Sequence, residues 1–322
     1  MKNLLMAKGA KTLVDICTKV KSQENVLIVT DFDKLTIAES IAAASIDRGA
    51  ETMISIMQPR DRAGQEPPSP IAAAMTKADV IFIPVSFSIT HTNAVKNAAA
   101  SNARIIVMTD FTEEMMIRGG ITADFEQLKP TCKAVADSFT KGSKLKLTSP
   151  GGTDLEMKIN GRKGNALYCI VEPGEFSTVP TVEANVSPLE NTANGTIVCD
   201  ASIPYLGIGI IESPIKFNVE NGFITGIEGG RQAEILRDNL ESFHDNNVFN
   251  IAEVGVGLNP NCIMCGIMLE DEGVISTCHI GIGTSITLGG NVKTAIHYDL
   301  IMWQPKILID NTLVLNGPKV FV

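Results

Sequence analysis

The sequence predicts an α/β domain with a parallel sheet over residues 1–142, followed by a mainly β (α+β) domain over residues 143–322. Three observations carry this. Short apolar runs alternate with helical patterns through the first hundred or so residues. From Ser143 onward, β-branched runs alternate with turn signals instead. And 322 residues is more than one hydrophobic core ordinarily serves.

Taken in order, residues 2–22 carry Leu4, Leu5, Leu13, Ile16 and Val20 at helical spacing and read as an amphipathic opening helix. Val26 to Val29 is a short apolar run suited to a buried strand. Leu35 to Asp47 is helical, and Glu51 to Met57 is a strand. Val80 to Val85 is a further strand, His91 to Ala100 a helix, and Arg104 to Met108 another strand. Strand and helix alternating at this spacing give a parallel sheet with helices on its faces, a Rossmann-like layout. Pro67 to Pro70 reads as a surface loop inside this domain. In the second half, Lys144–Thr148, Leu155–Ile159, Val179–Val186, Gly195–Cys199, Ile215–Val219 and Phe223–Ile227 are strand-like. Asn221-Gly222 between two such runs is a hairpin signal. Gly229 to Phe243 is an inserted helix with Ala233, Ile235, Leu236 and Leu240 as its apolar positions.

Several function classes drop out early. Lys plus Arg is 27 and Asp plus Glu is 36, a net charge of −9, which disfavours a phosphate backbone. Aromatic residues are 5%, too few for a stacking platform on single strands. No apolar run reaches membrane-spanning length and the start has no apolar signal core, so a cytoplasmic protein with no membrane and no nucleic-acid partner is expected. Thr30-Asp31-Phe32-Asp33, after the first strand, has no glycine to admit a pyrophosphate, and no phosphate-binding Gly-rich loop occurs elsewhere. Seven scattered cysteines do not suggest disulfides, and Cys262-x-x-Cys265 reads as small buried residues in a loop.

There are four histidines. His91 at a helix start and His244 after the inserted helix suit solvated positions. His279 and His297 fall in strand-like runs. In His297-Tyr298-Asp299 the imidazole and the carboxylate leave the same face of a strand. Glu253 alternates with Gly255 and Gly257, and His279 with Gly281 and Gly283, each opposite an apolar face. Glycine inside a strand marks close approach by something else, so these faces read as cleared for a ligand or metal. Thr181 to Val186 alternates likewise, with Glu183 and Asn185 on the polar face.

Glu183, Glu253 and Asp299 would bring three negative charges together, and burying several ionised carboxylates costs many kcal/mol unless a cation offsets them. One or two divalent metals per chain resolve this, with Glu183, Glu253, His279, His297 and Asp299 as ligands. Two chemistries stay open: a metal-activated water that hydrolyses an amide, or a single iron with positions left for oxygen.

Two resemblances follow from these residues. Gly152-Thr153-Asp154-Leu155, Pro180-Thr181-Val182-Glu183 with Pro188 and Gly195-Thr196, and Ala252-Glu253-Val254-Gly255-Val256-Gly257-Leu258-Asn259-Pro260 resemble segments of the aminopeptidase T (thermophilic metalloprotease) family. Asp271-Glu272, His279-Ile280 and His297-Tyr298-Asp299 follow in that family's order. That resemblance implies a pair of metals on the five residues named above. Where the family has a tyrosine, this sequence has Ile286. Gly222 to Ile227, Gly229-Gly230, Ala233-Glu234 and Leu236-Arg237-Asp238 are similar to 2,5-dihydroxypyridine 5,6-dioxygenase, which implies one ferrous iron on a His, His, Asp triad. His297 and Asp299 match two of the three, and Glu253 stands at the third.

Because chemistry resides in the site, ligand identity is given more weight here than backbone similarity. The expectation is a metallohydrolase of aminopeptidase or amidase type. Glu183 moves the proton and Glu253 bridges Zn, Co or Mn. The alternative is the ring-cleaving dioxygenase, with Fe(II). The substrate is a small molecule or short peptide, and both relatives imply a homo-oligomer.

Overall fold

A computed structural model describes residues 2–90 and 92–322 of the chain. His91 lies outside the described residues, so its expected helix-start position has no structural counterpart here. The chain forms two compact units, one of Met1–Glu126 with Tyr168–Pro180, the other of Gln127–Leu167 with Thr181–Val322.

In the first unit the apolar runs become strands between helices: α1 (Lys2–Lys11), β1 (Asn25–Asp31), α2 (Leu35–Asp47), β2 (Glu51–Met57), α3 (Ser69–Met75), β3 (Val80–Val85), α4 (Asn93–Ala100), β4 (Arg104–Thr109) and α5 (Glu113–Ile117). The expected strand positions and α2 are borne out. The sheet is parallel, ordered β2-β1-β3-β4, and every residue of β3 is buried. Continuous apolar strands are what helices on both faces demand, and each fully buried Ile or Val contributes about 1.5–3 kcal/mol. Helix starts are capped from the sequence: Thr92 accepts the Val95 N–H for α4, and Thr112 accepts the Met115 N–H for α5.

Two readings need correction here. The opening helix changes to i→i+5 bonding over Thr12–Cys17, with the Thr18 N–H on the Leu13 carbonyl. The angular step therefore changes. Met6, Ala10, Leu13, Val14 and Cys17 are buried, whereas Leu4, Leu5 and Ile16 are exposed. Residues 69 and 70 are not loop but the first turn of α3, where proline's fixed φ and missing N–H suit a helix start.

The chain continues through α6 (Phe125–Lys141), β5 (Lys144–Thr148), β6 (Asp154–Lys158), β7 (Asn165–Leu167) and β8 (Phe176–Thr178), which adds to β4 in parallel. Then come β9 (Glu183–Val186), β10 (Asn194–Cys199), β11 (Ser202–Ile203), β12 (Gly209–Ile210), β13 (Ile215–Glu220), β14 (Phe223–Glu228), α7 (Arg231–Ser242), β15 (Ile251–Gly257), α8 (Met268–Asp271), β16 (Thr277–Gly283), β17 (His297–Trp303), β18 (Lys306–Ile309), β19 (Thr312–Asn316) and β20 (Lys319–Val320). Of the single strand expected over 179–186, only β9 forms, and Pro180 lies in the stretch before it that stays outside any strand. Asn221 and Gly222 both take positive φ at the β13–β14 turn, as a two-residue hairpin requires.

The second unit holds two antiparallel sheets. One is ordered β14-β13-β10-β6-β5-β18-β19-β20, the other β12-β11-β17-β16-β15-β9-β7. Helix α6, which the sequence patterns leave unassigned, packs with these strands: a side chain at Gly164 would strike the Ala136 carbonyl, and the Cys132 thiol donates to the Glu183 carbonyl at 3.0 Å. The compact units divide at 126 and again around 168–180, and not at 142, since β8 returns to the parallel sheet. Among the described residues no helix is long and apolar enough to cross a membrane, and no disulfide forms. Cys262 is buried as expected, but Cys265 is exposed.

Candidate metal centre

The four central strands of the seven-stranded sheet carry all five residues singled out from the sequence. Strand register explains why they meet. Gly255 lies opposite His279, Gly281 lies opposite both Glu253 and Asp299, and Gly257 lies opposite Glu183. Gly255 and Gly281 make room for imidazoles, whereas Gly257 and Gly283 lie against backbone carbonyls. A Cβ at Gly255 would lie 2.0 Å from His279 Nε2, and one at Gly281 would lie 2.8 Å from His297 Nε2 and from Glu253 Cβ. The faces expected to be cleared for a ligand or metal are occupied at Gly255 and Gly281 by the protein's own side chains.

Glu253 is at the centre. Its Oε2 is 2.9 Å from His297 Nε2, and its Oε1 is 3.8 Å from His279 Nε2. His279 Nε2 is also 3.5 Å from Glu183 Oε2, and His297 Nε2 is 3.5 Å from Asp299 Oδ1. Two groups of ligand atoms result, Glu183–Glu253–His279 and Glu253–His297–Asp299, each with its atoms within 4.8 Å of one another. They share Glu253. His244 is exposed and takes no part.

Several atoms are held in ligand-like poses. His297 Nδ1 lies 2.8 Å from the Thr284 carbonyl, which can only accept, so Nδ1 carries the hydrogen and Nε2 faces the carboxylates. The Asn185 amide donates to Glu183 Oε1 at 2.8 Å and is itself held by Asn165 across the β7–β9 pair. Glu183 Oε2, His279 Nδ1 and Asp299 Oδ1 are buried without a hydrogen-bond partner. Buried polar atoms left open in this way are costly. Three carboxylates exceed what two imidazolium ions can neutralise. Oxygen and imidazole donors with unspent lone pairs fit a divalent cation.

The groups perturb one another strongly. Burial pushes Glu183 up to about 7, and the charge of Glu253 adds to this while His279 opposes it. Burial also raises Glu253, but the hydrogen bonds and charges of His279 and His297 outweigh it and hold this carboxyl below its ordinary value. Asp299 is likewise depressed, the charge of His297 overcoming burial. Against the lowering effect of burial, the hydrogen bond with Glu253 and the charge of Glu183 raise His279 to about 9.

Two further groups reach the cluster without having been singled out as site residues. Tyr205 donates its hydroxyl to Asp299 Oδ2 at 2.7 Å. Glu272 lies near enough that burial and the Asp299 charge raise it well above its ordinary value. Tyr205 sits in a loop without periodicity, so no pattern announced it. Its rarity was the available signal, as the chain has three tyrosines.

The profile of the 2,5-dihydroxypyridine 5,6-dioxygenase (NicX) family matches residues 8–321. The chain belongs to this family. A curated relative, the 2,5-dihydroxypyridine 5,6-dioxygenase of Pseudomonas putida KT2440, is 32% identical over 162 residues, 46% of either chain. The alignment thus spans about half the length of that relative. A solved 2,5-dihydroxypyridine dioxygenase from the same organism superposes with a TM-score of 0.84 at 20% identity, covering 99% of this chain and 97% of that one. AmpT from Thermus thermophilus superposes with a TM-score of 0.70 at 15% identity over the whole of both chains. Both structures share the fold.

Family membership overturns the preference for a metallohydrolase. The aminopeptidase T resemblance holds as similarity of fold, and the words hydrolase, aminopeptidase and metalloprotease do not carry over. Acid and imidazole sets of this kind serve several chemistries on one scaffold, so the ligand residues alone do not fix the reaction.

Proposed function

We propose that the chain is a ring-cleaving dioxygenase that acts on a dihydroxylated pyridine-type ring and uses Fe(II). The observation that carries the reading is the family match over residues 8–321 together with the Glu253–His297–Asp299 group. This one imidazole and two carboxylates depart from the two-histidine, one-carboxylate facial set of non-haem iron at Glu253, which stands where the triad has its other histidine, but they offer the same number of protein ligands to one ion. When bound there, ferrous iron supplies the chemistry that joins oxygen to the ring.

The chain's own residues hold and prepare the reactants. Glu253, His297 and Asp299 would hold the ion. Glu183, poised near neutrality, is suited to take a proton from a ring hydroxyl. His279 stands between Glu183 and Glu253 and orients both. Because Glu253 belongs to both groups, a second divalent ion at Glu183–Glu253–His279 is the other stoichiometry the donors allow.

The test is oxygen uptake with 2,5-dihydroxypyridine after loading with Fe(II). One oxygen molecule consumed per ring opened, and no turnover under argon, is the expected result. Turnover that proceeds without oxygen would remove the proposal. Metal analysis at one versus two equivalents per chain decides the stoichiometry.

A further inference from the structure

The Tyr205 hydroxyl enters the metal centre from outside the four strands that build it. Tyr205 sits in the short turn between β11 and β12, at the sheet edge, and β11 pairs with β17, the strand bearing Asp299. Its hydroxyl donates to Asp299 Oδ2 at 2.7 Å, while Oδ1 of the same carboxylate is buried without a hydrogen-bond partner and lies 3.5 Å from His297 Nε2. The two oxygens are therefore inequivalent: one is spent on a phenol, and the other is turned toward the donor group.

The turn is braced on several sides. The Gln232 side chain of α7 donates to the Ile208 and Ile210 carbonyls and accepts the Glu212 N–H. Ser202 donates to Asp271 Oδ2 at 2.6 Å, and Asp271 accepts the Cys265 and Gly266 N–H groups. The Tyr205 ring lies against the Tyr298 ring with centroids 4.8 Å apart, and the Tyr298 hydroxyl donates to Asn239 of α7. A free loop tyrosine would lose rotamer freedom in adopting this pose, but the brace has already restricted it. Ile286, at the position where the aminopeptidase T pattern has a tyrosine, is exposed, so the phenol of this centre comes from a different element.

We propose that Tyr205 is the positioning residue for Asp299: its hydroxyl claims one carboxylate oxygen and leaves the other as the ion's ligand. The proposal rests on the metal-site reading above. Outer partners of metal ligands ordinarily change cation affinity by about ten- to hundredfold.

The test compares Co(II) binding to the wild-type chain and to Tyr205→Phe, by calorimetry and by the visible absorption of the bound ion. The phenylalanine keeps the ring stacked on Tyr298 and removes only the donor. A fall in Co(II) affinity of about ten- to hundredfold, with an altered absorption spectrum in a variant that still folds, supports the assignment. Equal affinity and an equal spectrum in both proteins overturn it and leave the metal site standing. A wild-type chain that takes up no Co(II) overturns the metal-site reading itself, and the assignment with it. If Tyr205→Phe does not fold, Gln232→Ala loosens the turn with Tyr205 intact. The affinity must then fall in the same direction, and an unchanged value overturns the proposal.

Discussion

β3 in the parallel sheet and β15 and β16 in the metal-centre sheet are all buried along their whole length, yet they are built from different residues. β3 reads Val80-Ile81-Phe82-Ile83-Pro84-Val85, apolar throughout. β15 carries Glu253 on a face shared with Gly255 and Gly257, and β16 carries His279 on a face shared with Gly281 and Gly283. Burial alone thus does not separate a scaffold strand from a functional one. A buried charge whose cross-strand neighbour is glycine does, because the glycine is needed to admit the neighbouring side chain and the charge needs a partner of opposite sign.

The largest way to break the comparison is at Glu253, the only member of both donor groups. Glu253→Ala should abolish ring opening and lower divalent-cation affinity by more than the roughly hundredfold typical of outer partners. Equilibrium dialysis with Co(II) checks it. Gly255→Ala is the subtler probe. The added methyl must displace His279, so cation affinity should fall by about ten- to hundredfold while the strand stays apolar and buried. In the parallel sheet the expectation reverses. Ile83→Ala, at a fully buried position, should cost about 2–5 kcal/mol in denaturant unfolding and leave cation affinity per folded molecule unchanged. Loss of affinity in Ile83→Ala, or loss of stability alone in Gly255→Ala, would erase the distinction.

The same contrast explains what was legible in the sequence. β1 to β4 and α2 could be read because their patterns match a simple period and nothing else competes. Glu183, Glu253, His279, His297 and Asp299 could be read because their alternation with glycine is local information. Their mutual distances could not, since these depend on the register of four strands. The i→i+5 turn after α1 changed the buried face in a way that no fixed period foresees, and α6 escaped because Pro130 lies inside it. Tyr205 reaches Asp299 across 94 positions in the chain and belongs to no repeat. Reaction type was the least legible, because one donor set suits both hydrolysis and oxygen chemistry. The family match over residues 8–321 points away from the hydrolysis that the ligands alone suggested.

Acidity sharpens the comparison further, since β15, β16 and β17 gather coupled titrating groups in their interior where β3 has none. In the ion-free protein His279 keeps its proton up to about pH 9, well above the ordinary imidazole value. The stability this contributes is complete below the unfolded value of about 6.5 and is lost as the pH rises through about 9. A cation needs the neutral imidazole, so binding below that point expels a proton. Co(II) affinity should rise by about tenfold per pH unit between pH 7 and 9 for each proton released, then level off. Calorimetry in buffers of different ionisation enthalpy measures the released proton, and a flat profile would mean that the ion does not displace the His279 proton.

The smallest effect is expected where carboxylates of the same kind stay in water. On the other sheet of the second unit, Lys146 stands between Asp154 and Glu156, 2.5 and 3.0 Å away, with the lysine about one-third exposed and both acids more so. Solvent screens these charges, and two long side chains must be immobilised to bring them together. Lys146→Ala should therefore change unfolding free energy by no more than about 1 kcal/mol, with still less change in high salt, and should not alter Co(II) binding. Buried carboxylates without a cation have no such cushion. A loss from Lys146→Ala comparable to that from Ile83→Ala would show that exposed ion pairs, and not only buried groups, hold this unit together.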